Sequence, residues 1–155
     1  MNVSPQGLAF IAGFEGCVLH PYDDGGRPGV GNATVGVGHL LHMGPTRPAD
    51  VKAWAGFTKA KALTLLAADS GHAAAAVSSL GVQLTQPQFD ALVSFAFNCG
   101  PGALMGGIAH ALHAGDDHGA MAVLCEYTHA GSAVLPGLVR RRQAEAHLFL
   151  TGKYS

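Results

Sequence analysis

The chain has 155 residues, 48% of them hydrophobic and 12% charged, with a net charge of −1 when its nine histidines are neutral. That length suits one domain and allows about 70% of the unfolded surface to be buried. The composition excludes a disordered chain, and with its one basic run at Arg140-Arg141-Arg142 the sequence carries no nucleic-acid footprint.

Ser4-Pro5 is a helix start, Ser as N-cap and Pro where its missing N–H costs nothing. Leu8, Ile11, Ala12 and Glu15 then share one face at helical spacing. A carboxyl in line with three apolar side chains is expected to be partly desolvated, which favours its acid form. The run Gly7–Phe14 is short, follows no Lys or Arg and stops at Glu15, so neither a signal peptide nor stable membrane insertion is expected.

From Cys17 the character changes. Tyr22-Asp23-Asp24-Gly25-Gly26 is turn chemistry, and Thr34 to His39 alternates with period two. Val35 and Val37 are expected to face a small core, leaving Thr34, Gly36 and Gly38 on an outer face open to close approach by a ligand. Residues 17–57 therefore read as a β-hairpin lobe with a short helix over 49–55. Residues 58–80 read as one connecting helix, weakened or bent at Gly71. Residues 81–155 read as a helical lobe, built on a central helix from the Thr85-Gln86-Pro87-Gln88 capping box to Asn98. Two shorter helices, 103–114 and 116–127, and a last one from Pro136 to about Leu150 follow. On that last helix Leu138, Arg142, Glu145 and Phe149 share a face, which predicts a semi-buried Arg142–Glu145 ion pair. The fold class is α+β and mainly helical.

Glu15 and Asp24 have eight residues between them, enough to come from a helix end onto the first strand of a hairpin, with Thr34 on the return strand. In that arrangement Glu15 protonates a leaving oxygen, Asp24 activates water and Thr34 holds the water, the requirements of glycosidic-bond hydrolysis. Asp23, beside Asp24 in the chain, is the alternative for the second role.

Other chemistries have less support. His39 with His42 and His110 with His113 fall at i, i+3, but no HExxH or comparable cluster accompanies them, so no metal and no cofactor is expected. Cys17, Cys99 and Cys125 are odd in number and lack metal-like spacing, which argues for a reducing compartment of synthesis. Cys17 and Cys99 read as buried thiols. A wall-binding module or a lytic transglycosylase is a further alternative, distinguished by its products.

Glu15-Gly16, Tyr22, Asp24, Thr34, Gly36 and Gly38-His39-Leu40-Leu41 stand in the order Glu, eight residues, Asp or Cys, then Thr. Leu84-Thr85, Gln88 to Leu92, Phe97-Asn98, Gly100, Gly137-Leu138, Arg141-Arg142 and Glu145 continue the pattern. In these residues the chain resembles the phage-type lysozymes, the endolysins of glycoside hydrolase family 24, over nearly its whole length. The resemblance implies a lysozyme-like fold of two lobes joined by a long helix. It implies hydrolysis, with inversion, of the β-1,4 bond between N-acetylmuramic acid and N-acetylglucosamine, by catalytic Glu15, Asp24 and Thr34. Leu40 and Phe97 would be groove walls or core, and Arg141 or Arg142 would pair with Glu15. It also implies a monomer acting on peptidoglycan glycan strands, made in a host cytoplasm and released by a holin or carried in the virion. Two departures stand out: nine residues rather than five separate Asp24 from Thr34, and Tyr127 stands where relatives often have Trp.

Overall fold

The computed structural model describes residues 1–154, apart from the side chain of Ala130. The chain divides into two compact units, Ile11–Asp69 and Met1–Phe10 with Ser70–Ser155. Helix α1, Pro5–Glu15, contributes its first half to one and its second half to the other.

In the unit Ile11–Asp69 three strands form an antiparallel sheet in the order β1 (Val18–Asp23), β2 (Ala33–Gly36), β3 (His39–His42). The third strand is not evident in the sequence, because His39-Leu40-Leu41-His42 lacks period-two alternation. The β1–β2 ladder is irregular between Val18 and Tyr22, and Pro21, which has no N–H to give a ladder, sits in that break. Two helices complete the unit, α2 (Pro48–Ala53) and α3 (Lys59–Asp69).

The central strand does not have one buried and one open face. Ala33, Thr34, Val35 and Gly36 are all buried. A side chain at Gly36 would lie 3.3 Å from both Phe57 and Ala62, so this glycine lets α3 pack on β2 rather than exposing backbone to a ligand. Gly38 keeps the expected openness, with φ +72 and nothing within 4 Å of where a side-chain carbon would lie. His39 Nδ1 bonds Asp69 at 2.9 Å, and the Trp54 ring meets Phe57 edge-on at 5.1 Å, closing the small core at its rim.

The connecting helix expected over 58–80 is two helices. α3 ends at Asp69 and α4 runs Gly71–Ser79, with the break at Ser70. The junction coincides with the boundary between the compact units.

In the second unit α5 (Gln86–Cys99) is the core element, and Phe89 to Ala96 are buried without interruption. Its start is fixed as the capping box predicts, Gln88 Oε1 accepting from Thr85 N–H at 2.9 Å. Its buried Asp90 accepts from Ser4 Oγ at 2.5 Å, Tyr154 Oη at 2.6 Å and Gln86 Nε2 at 2.9 Å. A side chain at Gly7 would lie 2.5 Å from the Asp90 carboxyl carbon, so glycine there lets this carboxylate reach the start of α1. A 3₁₀ turn, Pro101–Leu104, and Gly106 at φ +88 shorten the next helix to α6 (Gly107–His113), followed by α7 (Asp117–Leu124). A two-residue hairpin, β4 (His129–Ala130) and β5 (Ala133–Val134), precedes α8 (Pro136–Thr151), which packs on α5.

The expected ion pair of α8 is fully buried. Glu145 Oε2 lies 2.7 Å from Arg142 Nε, and its Oε1 accepts from Arg141 Nε at 3.1 Å and from Ser94 Oγ at 2.6 Å. Burial pushes the Glu145 carboxyl up, opposed by Arg142, Ser94 and Arg141. Arg142 also gives hydrogen bonds to Asn98 Oδ1 at 3.0 Å and Cys99 Sγ at 2.6 Å, with its guanidinium 5.0 Å from the Phe95 ring centroid. Among the described residues no helix is long and apolar enough to cross a membrane.

Candidate active site

Glu15 is the last residue of α1. Gly16 follows at φ +76 and gives its N–H to Ala12 O at 3.1 Å, a left-handed stop that ends the helix. Ile11 and Ala12 are buried, but Glu15 is exposed. The burial expected from its apolar helix face stops short of Glu15, which stands on the final turn of α1.

The sheet lines up other candidates. Tyr22 on β1 is paired with Thr34 on β2, and Thr34 with Leu40 on β3. Directly opposed residues of antiparallel strands project from the same face, so Tyr22, Thr34 and Leu40 form one row. Thr34 is buried in that row and Leu40 is exposed. The Tyr22 phenol is pushed up by its partial burial, then by the negative charges of Asp24 and of Glu15. Both carboxylates therefore act on one hydroxyl, and that hydroxyl belongs to the residue opposite Thr34.

Asp24 lies one residue beyond β1. Its Oδ1 accepts from Asn32 N–H at 2.7 Å, and its own N–H is given to Asn32 O at 3.1 Å. Gly31, at φ +95, passes so close that a side-chain carbon there would sit 2.2 Å from Asp24 Oδ1. Asn32 O also accepts from Thr34 Oγ1 at 3.2 Å, and Asn32 Oδ1 accepts from Gly44 N–H at 3.0 Å. The extended tip of the hairpin is a ring closed on Asp24, not a loose insertion.

Asp23 has a different set of bonds. One oxygen accepts from Thr46 N–H at 2.6 Å and from the Thr46 hydroxyl, and the other accepts from Gly29 N–H at 2.6 Å. These hydrogen bonds, those from Thr46 first, hold its carboxyl below the usual carboxylate range. Both Asp23 oxygens tie the lobe together, whereas the bonds to Asp24 from the described residues reach only Oδ1.

The histidines of the lobe pair separately. His39 bonds Asp69, and His42 Nε2 bonds Asp50 Oδ2 at 2.8 Å, where Asp50 also accepts from Arg47 N–H at 2.7 Å. Phe97, the other expected groove residue, lies on α5 in the second unit and is half-buried. There Tyr127 meets Phe95 edge-on at 5.1 Å and stays 38% exposed, so its ring is only partly core. Cys17, Cys99 and Cys125 are free thiols, half-buried rather than buried. Burial pushes Cys99 up despite Arg142 beside it. Spacing alone gives Tyr22 and Asn32 no role, since only the strand register and the closed tip show what they join.

A family model described as phage lysozyme matches residues 12–145. The chain belongs to the phage lysozyme family. It is 37% identical over 155 residues to the endolysin of Bacillus phage B103, an alignment covering 99% of this chain and 56% of that one. It is 34% identical to the endolysin of Acyrthosiphon pisum secondary endosymbiont phage 1, covering 96% of this chain and 98% of that one. The chain thus spans little more than half the length of some of the phage lysozymes it matches. Among solved structures, the endolysin from Escherichia coli O157:H7 phage FAHEc1 superposes with a TM-score of 0.79 at 29% identity, over 100% of this chain and 97% of that one. The muramidase domain of SpmX from Asticaccaulis excentricus gives 0.77 at 31% identity, over 96% and 97%. The mainly helical fold with a small antiparallel sheet, expected from the sequence, is the phage lysozyme fold.

Proposed function

We propose that this chain is a muramidase, hydrolysing the β-1,4 bond between N-acetylmuramic acid and N-acetylglucosamine in peptidoglycan with inversion. The observation that carries the reading is the link from Asp24 to Thr34 through Asn32, at the strand pair that sets Tyr22 opposite Thr34, with Glu15 at the end of α1 in the same compact unit. Glu15, in its acid form, gives its proton to the glycosidic oxygen as the bond from the muramic C1 breaks. Asp24, ionised, takes a proton from a water molecule as that water's oxygen bonds C1 from the opposite face. Because Thr34 Oγ1 gives its hydrogen to Asn32 O, its lone pairs remain to accept a hydrogen from the water. Proton exchange with solvent returns both carboxyls to their starting forms.

Leu40, exposed in the row with Tyr22 and Thr34, supports an apolar sugar contact; for Phe97 the same role rests on the family resemblance alone. The chain as a whole is a single lysozyme-like catalytic domain, acting as a monomer on glycan strands. Family membership supports cytoplasmic synthesis in a host and access to the wall after holin-type release. Replacing Glu15 by Gln tests the reading. The variant should keep its melting temperature and its binding to purified wall while releasing no reducing sugar. Turnover near the wild-type rate in Glu15→Gln would remove Glu15 from the chemistry.

A further inference from the structure

The register of β1 and β2 sorts the side chains around the hairpin acids by face. Tyr22 is paired with Thr34 and Asp23 with Ala33, and the pairing goes one step further where Asp24 N–H bonds Asn32 O at 3.1 Å. Side chains alternate along a strand, so Tyr22 and Asp24 share a face with Thr34 and Asn32, and Asp23 lies on the other. The hydrogen bonds agree, since Asp23 accepts from Thr46 and Gly29 and Asp24 accepts from Asn32. The face that holds Asp24 therefore carries two hydroxyls, those of Thr34 and Tyr22.

The two hydroxyls differ in what they have left to give. Thr34 Oγ1 gives its one hydrogen to Asn32 O at 3.2 Å and can only accept beyond that bond. Among the described residues no hydrogen bond involves the hydroxyl of the half-buried Tyr22. Burial, then the charges of Asp24 and Glu15, push this phenol above its ordinary value, so it keeps its hydrogen wherever a carboxyl pair can work. Tyr22 is a donor with no acceptor of its own.

A water molecule attacking a sugar carbon has room for such a donor. Water can make four hydrogen bonds, two given and two accepted. In the reaction set out above, one hydrogen goes to Asp24, the other to Thr34 Oγ1, and one lone pair bonds C1. The second lone pair is left over. Neither Asp24 nor Thr34 can serve it, because an ionised carboxylate only accepts and the threonine hydrogen is held by Asn32 O.

We propose that the Tyr22 hydroxyl donates its hydrogen to this second lone pair, which makes Tyr22 a catalytic residue on the water side of the reaction. The proposal rests on the muramidase reading and completes the hold on its water. No proton passes to or from Tyr22. The hydrogen bond turns the free lone pair towards C1, and it strengthens as charge develops on the oxygen while Asp24 takes the proton.

Tyr22→Phe tests this, because it keeps the ring and removes only the hydroxyl. On soluble peptidoglycan oligomers it should lower kcat by about tenfold, the usual contribution of one hydrogen bond, with KM and melting temperature unchanged. Placing 3-fluorotyrosine at the same position keeps a donor and should return kcat close to the wild-type value. The glycosyl fluoride of the same disaccharide loses its fluoride without a proton donor. Glu15→Gln should therefore spare it, whereas Tyr22→Phe should slow it as much as it slows the natural bond. Wild-type kcat in Tyr22→Phe, a loss confined to KM, or a kcat loss matched by early melting overturns the proposal. So does a fluorotyrosine protein as slow as Tyr22→Phe, or a fluoride that Tyr22→Phe cleaves at the wild-type rate, which would put the phenol on the side of Glu15. A wild-type protein that cleaves neither substrate would count against the muramidase reading itself, and the proposal would fall with it.

Discussion

Asp24 and Thr34 meet at one carbonyl: Asn32 O accepts the Asp24 N–H at 3.1 Å and the Thr34 hydroxyl at 3.2 Å. The N–H of the same residue holds Asp24 Oδ1 at 2.7 Å. The proposed base and the proposed water-holder are therefore spaced by the backbone of a single residue rather than by side-chain packing.

Gly31 is the weak point of that spacing. A methyl group 2.2 Å from Asp24 Oδ1 cannot be accommodated, and the φ of +95 is strained for any other residue. Gly31→Ala should displace the carboxylate by a large part of an ångström and lower kcat by about 10²-fold. It should also cost about 1–3 kcal/mol of stability for the backbone strain. Steady-state kinetics and thermal melting on the same preparation measure both, and unchanged kinetics would mean that the tip does not position Asp24.

Asp23 and Asp24 should separate by the kind of damage they cause. Asp24→Asn should lower turnover by about 10²–10⁴-fold with little change in melting, since it removes a base. Asp23→Asn should chiefly loosen the tip, because the amide cannot accept as a carboxylate does from Gly29 and Thr46. Its effect should appear as faster amide exchange at Gly29 and Thr46. The reverse ranking of turnover would exchange the two roles.

Much of this was legible in the sequence, and the failures have physical causes. The core helix, its capping box and the Arg142–Glu145 pair follow from periodicity, because burial of one face imposes it. The third strand leaves no such trace, since HLLH has no alternation; Gly71 marks the weak point of the connecting segment, but helical sequence on both sides hides that the helix stops there. Gly36 reads as open backbone until Phe57 and Ala62 are seen against it. The carboxylates at 15, 23 and 24 were legible as a group. What separates Asp23 from Asp24 is a set of bonds to Gly29, Thr46 and Asn32, contacts that spacing does not encode.

The buried cluster on α8 predicts a stability effect. Arg142→Met removes the partner of a fully buried carboxylate and should cost about 3 kcal/mol, the usual penalty for stranding one member of a buried pair. The loss would register as a lower urea midpoint with an unchanged slope. A variant as stable as the wild type would mean that Arg141 and Ser94 satisfy Glu145 unaided.

His42 and Asp50 should make the β lobe sensitive to pH. The hydrogen bond to Asp50, then that to Met43 O, raises His42, opposed by partial desolvation and the Arg47 charge. His42, then the Arg47 backbone, lowers Asp50. The raised histidine contributes fully below its unfolded value of about 6.5 and loses its contribution as pH rises through the folded value. The lowered aspartate contributes above its unfolded value of about 3.9 and loses it as pH falls through the folded one. Protection of the 39–51 segment should therefore peak in mildly acidic solution. NMR titration of the His42 ring with amide exchange follows both arms, and a His42 midpoint below that of a free histidine would contradict the pairing.

The anomeric form of the first product tests the pairing of Glu15 with Asp24 most directly. Proton NMR during digestion of purified peptidoglycan should show new reducing muramic ends appearing first as the α-anomer and then mutarotating, because water attacks opposite the departing oxygen. Initial appearance of the β-anomer, or an anhydro-muramic end with no reducing sugar, would contradict a water molecule activated by Asp24.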